Sequence, residues 1–239
     1  MTSRYTIFPL GDSALTIEWG NVIDAAINRE VLALFQQLKS LSLPYLTDLV
    51  PAYSSLSVHY DPVAVRRMMD KEDIDSDGTA FETVSEIVRQ VLAQEKDQPD
   101  VATAQHIRVP VCYAPRYAPD LEAVAAEKGL TASEIVRLHT AGTYHVYMLG
   151  FLPGFAYMGE VDERIAIDRK AAPQPVAAGA VGIAGRQTGI YPLASPGGWQ
   201  IIGRTPLKLF HRKSDHPVLF APGDTITFYA ITEHEFAHY

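Results

Sequence analysis

Gln187, Tyr191, Ser195, Trp199, Gln200 and Arg204 bring two amides, a hydroxyl, a guanidinium and two aromatic rings into one short stretch. They lie among four glycine-bearing runs. The first is Tyr147-Met148-Leu149-Gly150-Phe151-Leu152-Pro153-Gly154-Phe155, and the second Gly182-Ile183-Ala184-Gly185-Arg186-Gln187-Thr188-Gly189-Ile190-Tyr191-Pro192. Ser195-Pro196-Gly197-Gly198-Trp199-Gln200 and Ile202-Gly203-Arg204-Thr205-Pro206 follow. Dense glycine lets a backbone approach another backbone or a ligand closely, and exposes N–H groups that bind anions. The polar side chains would then orient a ligand and the aromatic ones would wall it. The same runs also suit a barrel with tight turns, in which Pro196-Gly197-Gly198 is only a hairpin.

Three other patterns suggest chemistry and then fall short. Asp73-Ile74-Asp75-Ser76-Asp77-Gly78 copies the first half of a calcium loop, but the closing bidentate carboxylate would fall on Val84. Thr79 and Glu82 already explain that segment as a helix start. His234-Glu235-Phe236-Ala237-His238 matches H-E-x-x-H without a third ligand downstream, and is expected to be a frayed terminus. Cys112 lies in the apolar run Val109-Pro110-Val111-Cys112-Tyr113 and is expected to pack rather than react. Phosphate loops, nucleophile elbows and dinucleotide fingerprints are missing, so the chain brings no familiar nucleotide cradle.

One cysteine excludes an internal disulfide and a cysteine-built zinc cage. The first residues lack a signal-peptide core and no apolar run reaches 18 residues, which predicts a cytoplasmic protein without membrane association. A net charge of −8 argues against a general nucleic-acid binder. The charge is unevenly distributed: residues 1–105 hold 8 bases and 16 acids, whereas 164–213 hold eight bases and only Asp168 as acid. Such a split suits an anion site or heterologous association through the second part.

The elements that must position these residues differ along the chain. Leu15, Ile17 and Trp19 alternate with Thr16 and Glu18, and Leu56, Val58 and Tyr60 with serine and histidine, predicting two strands. Asp24 caps a helix with Ile27, Val31, Leu34, Phe35 and Leu38 on one face. Thr79 and Glu82 form a capping box for a second helix, so a small α+β sandwich with two helices on one sheet face is predicted. Residues 95–105 read as a linker. A strand over 107–112 and two short helices follow, one stopped by Gly129 and one opened by Thr131 with Glu134. Residues 142–203 then hold 11 of the 16 glycines, interleaved with Val, Ile, Tyr and Phe, which implies a β-barrel or sandwich.

The four runs, in this order and spacing, resemble the 5-oxoprolinase B-subunit family, also called the KipI or allophanate hydrolase subunit 1 family. Leu10-Gly11-Asp12-Ser13-Ala14-Leu15, Val50-Pro51-Ala52-Tyr53-Ser54-Ser55-Leu56 and His139-Thr140-Ala141 match as well. Two positions depart from the family: Ala166-Ile167-Asp168, where proline is common, and Arg186, where glycine or a small polar residue is frequent. The resemblance implies an α+β chain, with a ferredoxin-like domain over 1–105 and a cyclophilin-like β-barrel over 106–239. Fold does not carry function, so prolyl isomerisation is not implied.

What the resemblance implies functionally is a subunit of an ATP-dependent 5-oxoprolinase, opening 5-oxo-L-proline to L-glutamate together with subunits A and C. The chain alone would be inactive, ATP would be used at the level of the complex, and no metal is expected here. Arg186 and Arg204 would meet the substrate carboxylate or phosphoryl oxygens, Gln187, Ser195 and Gln200 would make polar contacts, and Tyr191 and Trp199 would form walls. No general base is identifiable. The family also offers an inhibitor of a sensor histidine kinase and the carboxyltransferase part of a urea carboxylase-like system. All three would use a similar pocket for a small amide or carboxylate.

Overall fold

The computed structural model describes residues 4–71, 78–94 and 104–239. The calcium-like positions 73–77 and most of the expected linker, 95–103, lie outside the described residues. The chain divides into two compact units, Met1–Ala102 and Thr103–Tyr239. None of the described helices is long and apolar enough to cross a membrane.

The first unit runs β1 (Thr6–Pro9), β2 (Ala14–Glu18), α1 (Ala25–Ser40), β3 (Leu46–Pro51), β4 (Ser55–Tyr60), α2 (Pro62–Lys71) and α3 (Ala80–Ala93). Its antiparallel sheet has the order β1-β2-β4-β3. Leu15 pairs with Val58 and Ile17 with Leu56, so four apolar side chains share one face. Val31, Leu34 and Leu38 of α1, Val65 and Met69 of α2, and Val84, Val88 and Val91 of α3 join them in one core. Three helices therefore meet that core where two were expected. The Asp24 carboxylate accepts from Ala26 N and Ile27 N at 2.7 and 2.9 Å, and Thr79 with Glu82 closes the capping box of α3. Each cap is worth about 1 kcal/mol.

The second unit contains β5 (His106–Cys112), α4 (Leu121–Lys128), α5 (Ala132–Ala141), β6 (Thr143–Leu149), β7 (Ala156–Gly159) and β8 (Gln174–Val176). It continues through β9 (Ala180–Ala184), β10 (Gln187–Ile190), β11 (Ser195–Gly197), β12 (Gln200–Arg204), β13 (Thr225–Ile231) and α6 (Glu233–Ala237). Seven strands close into a barrel in the order β10-β7-β6-β13-β5-β12-β9, and β8 pairs with β11 separately. Closure depends on β5 and β13, which pair in parallel from His106–Thr225 to Cys112–Ile231. The Asp224 carboxylate clamps the start of that pair, accepting from Gln105 N and Ala221 N. Val109, Val111, Val146, Met158, Val181, Ile183, Ile190, Ile202 and Ile226 belong to a core shared with Leu121 and Val124 of α4 and Ile135 and Leu138 of α5. Gly129, at φ 64, ends α4 in the left-handed region, as its sequence position predicts.

Candidate functional site

Because side chains alternate along strands, β7, β9 and β10 each send one set into the barrel and the other outward. Ala156, Met158, Val181, Ile183 and Ile190 belong to the barrel core. The alternate set, Phe155, Ala180, Ala184 and Tyr191, joins Trp199 and Ile201 in a second cluster, with Tyr157 packed against it. The rings interlock: Phe155 lies 5.1 Å from Tyr191, 5.4 Å from Trp199 and 4.8 Å from Tyr157, centroid to centroid. Three of the four glycine-bearing runs thus meet at one aromatic cluster. Its glycines serve close packing, since a Cβ on Gly197 would collide with the Tyr191 hydroxyl.

The seven expected contact residues separate around this cluster. Tyr191 and Trp199 are nearly fully buried within it, and burial raises the Tyr191 phenol above its ordinary pKa. Ser195, on β11, has a buried Oγ with no hydrogen-bond partner among the described residues. Gln187 opens β10 opposite Ala184, while Gln200 on β12 donates from Nε2 to Asp168 O at 3.1 Å. Arg204 pairs with Ala180 at the far end of β9 and donates from Nε to Ala178 O at 2.8 Å. Arg186 lies in the β9–β10 turn, exposed and ion-paired with Glu160. A strand rises about 3.3 Å per residue, so the backbones of the two arginines sit at opposite ends of β9, roughly 13 Å apart.

His139 has a different duty. Its Nε2 lies 3.0 Å from Thr188 Oγ1, and that hydroxyl donates onward to Gly182 O at 3.0 Å. A threonine has one hydroxyl proton, so Nε2–H donates to Thr188 and Nδ1 accepts from the Tyr113 hydroxyl at 2.8 Å. Stacking on Phe228 at 4.5 Å completes the seat, and burial pushes the His139 pKa down to about 3. A neutral, fully satisfied imidazole locks the barrel core.

The H-E-x-x-H segment is ordered, which corrects the frayed terminus. Thr232 and Glu235 form a capping box for α6, and Phe236 stacks on Tyr117 at 4.3 Å. Groups of three or more His, Cys, Asp or Glu suited to a metal ion are absent among the described residues. Cys112 is free and buried. Two residues outside the expected set belong to the cluster. The Phe151 ring meets Phe155 and Tyr191 edge-on, and the Arg169 guanidinium lies 6.0 Å from the Trp199 ring. In the sequence Arg169 is only one base of a basic stretch. The Gly150–Gly154 run signals a turn but not which ring it lifts.

Residues 5–220 match the family described as carboxyltransferase domain, subdomain C and D. The chain is 40% identical over 240 residues to the 5-oxoprolinase B subunit of Bacillus subtilis (strain 168), covering 100% of this chain and 98% of that protein. To the 5-oxoprolinase B subunit of Escherichia coli O157:H7 it is 34% identical over 226 residues, covering 94% and 95% of the two chains. Among solved structures, TTHA0988 superposes with a TM-score of 0.76 at 32% identity, over 91% of this chain and 40% of that longer one. Together with the barrel and the aromatic cluster formed by its glycine-bearing runs, this similarity over the whole length means that the chain belongs to the 5-oxoprolinase B-subunit family of carboxyltransferase-domain proteins.

Proposed function

We propose that the chain is the B subunit of an ATP-dependent 5-oxoprolinase, acting in the cytoplasm with subunits A and C to open 5-oxo-L-proline to L-glutamate. The observation that carries this reading is similarity from end to end to relatives with that subunit name. The lactam is resonance-stabilised and unstrained, so water attacks it slowly. Phosphorylation of its oxygen by ATP makes the ring carbon electrophilic, and cations with fixed N–H donors stabilise the charge that develops. Arg204 suits such a task. Its Nε is anchored on Ala178 O, which fixes the guanidinium plane, and its Nη groups have no hydrogen-bond partner among the described residues. The buried, unpartnered Ser195 hydroxyl also favours a polar ligand, because buried polar atoms are rarely left unsatisfied.

On fold, we infer a ferredoxin-like first unit and a cyclophilin-like barrel, divided near residue 105. The order β1-β2-β4-β3 supports the first, being the order of a split β-α-β sheet. In this reading β1, from the N-terminal side, occupies the edge usually filled by a strand after the last helix. Reconstitution tests the function: the three purified proteins with ATP should form glutamate from 5-oxo-L-proline. Equal activity in a mixture lacking this chain would refute it.

A further inference from the structure

Phe151 is 61% exposed, and its backbone has a φ of 64. Leu152 N donates to Gly150 O at 2.7 Å, which closes a three-residue γ-turn centred on Phe151. With a positive φ at its centre this turn is rare and strained, and for a side chain as bulky as phenylalanine it is a real outlier. The next turn holds it in place. Phe155 N donates to Leu152 O at 2.9 Å across Pro153 and Gly154, the latter at φ 84, and Gly150 N donates to Phe155 O at 3.1 Å. At Gly154 the chain meets its left-handed requirement with glycine; at Phe151 it does not.

Such strain persists where its surroundings over-determine it, and it gathers at functional positions. Two rings brace one side of the exposed phenyl group. Phe155 and Tyr191, both nearly fully buried, meet it at 88° with centroids 5.8 and 6.4 Å away. An exposed aromatic ring braced by two buried rings at the turn of the β6–β7 hairpin is a projecting feature, suited to entering a pocket on another molecule. Arg169 adds a charge to the same cluster: it is exposed, carries no ion pair among the described residues, and lies over Trp199. Rigid aromatic anchors and arginines dominate the energetics of protein interfaces, because little freedom is lost when they bind.

We propose that Phe151 is the anchor by which this chain docks on a companion subunit, entering an apolar pocket flanked by a carboxylate that meets Arg169. The inference rests on the subunit reading above. Binding of the purified chain to purified subunits A and C, followed by sedimentation and calorimetry, tests it with Phe151→Gly, Phe151→Tyr and Arg169→Glu. Phe151→Gly should weaken binding roughly 30-fold, the scale of a central anchor. Its unfolding midpoint should stay level or rise, because glycine relieves the left-handed strain. Phe151→Tyr should bind like the parent, and Arg169→Glu should weaken binding about tenfold at low salt and less as salt rises. A parent chain that binds neither companion would sink both the subunit reading and the anchor. Binding by the parent and equally by Phe151→Gly and Arg169→Glu would sink the anchor alone. Normal assembly of Phe151→Gly with lost glutamate formation would assign the ring to substrate and likewise overturn docking. Should Phe151→Gly misfold, Arg169→Glu decides the matter, and unchanged affinity contradicts the proposal.

Discussion

Gly182 stands opposite Gly189 across the β9–β10 ladder, and the Trp199 side chain lies against both. Two missing side chains make a flat bed on the outside of the barrel. A Cβ at Gly182 would come 3.1 Å from Trp199 Cβ; one at Gly189 would come 3.0 Å from Trp199 Cζ3 and from Ala156 O. Dense glycine in this part of the chain thus brings an indole onto the backbone.

Gly189→Ala should cost roughly 1–3 kcal/mol, because the added methyl meets the fixed backbone oxygen of Ala156 as well as the Trp199 and Phe155 rings. That corresponds to a fall of about 2–4 °C in melting temperature per kcal/mol for a chain of this size. Gly198→Ala is the control, since its Cβ would meet nothing nearer than 3.8 Å. Calorimetry that found the two variants equally stable would remove the packing role of this pair.

Stability should also fall as pH drops from neutral, through His139. Burial holds its folded pKa at about 3, against about 6.5 when unfolded. Between those values the unfolded chain takes up a proton that the folded chain refuses, so stability rises with pH at about 1.4 kcal/mol per unit. The capping carboxylates Glu82, Glu134 and Glu235 are held below their ordinary pKa by hydrogen bonds from threonine, so they lose their stabilising charge only at lower pH. His139→Gln retains a donor and an acceptor without the titration. Denaturant midpoints between pH 6.5 and 5 should therefore slope less in the variant, and identical slopes would contradict the assignment.

Arg204→Ala should lower glutamate formation by the assembled subunits about ten- to a hundredfold, the scale of one lost charge-assisted contact. Assembly should survive, because among the described residues the guanidinium makes one hydrogen bond, to Ala178 O, and a contact with Phe236. Parent-like kinetics in a folded, assembled variant would give Arg204 a purely structural duty.

Local signals in the sequence were reliable where one side chain closes one hydrogen bond. Asp24, Thr79 with Glu82, Thr131 with Glu134, and Gly129 all mark helix ends where the sequence puts them. The same logic would have found α2, whose Pro62 start follows Asp61, a carboxylate that accepts from Val63 N and Ala64 N. β3 gave no such signal. As an edge strand it lacks a clean buried alternation, and only its pairing with β4 defines it. Barrel closure was hidden for another reason: β5 and β13 are distant in sequence, and a parallel pairing leaves no local mark. At the site, glycine spacing located the cluster. It could not separate a bed for Trp199 from a bed for a ligand, nor show that Arg186 and Arg204 lie at opposite ends of β9.

The most direct measurement is the ratio of ADP to glutamate formed from 5-oxo-L-proline by this chain with purified subunits A and C, omitting each protein in turn. One ADP per glutamate is expected in the full mixture, with loss of glutamate when this chain is left out. Unchanged glutamate formation without it, or none with all three folded proteins and ATP present, would contradict its assignment to the enzyme.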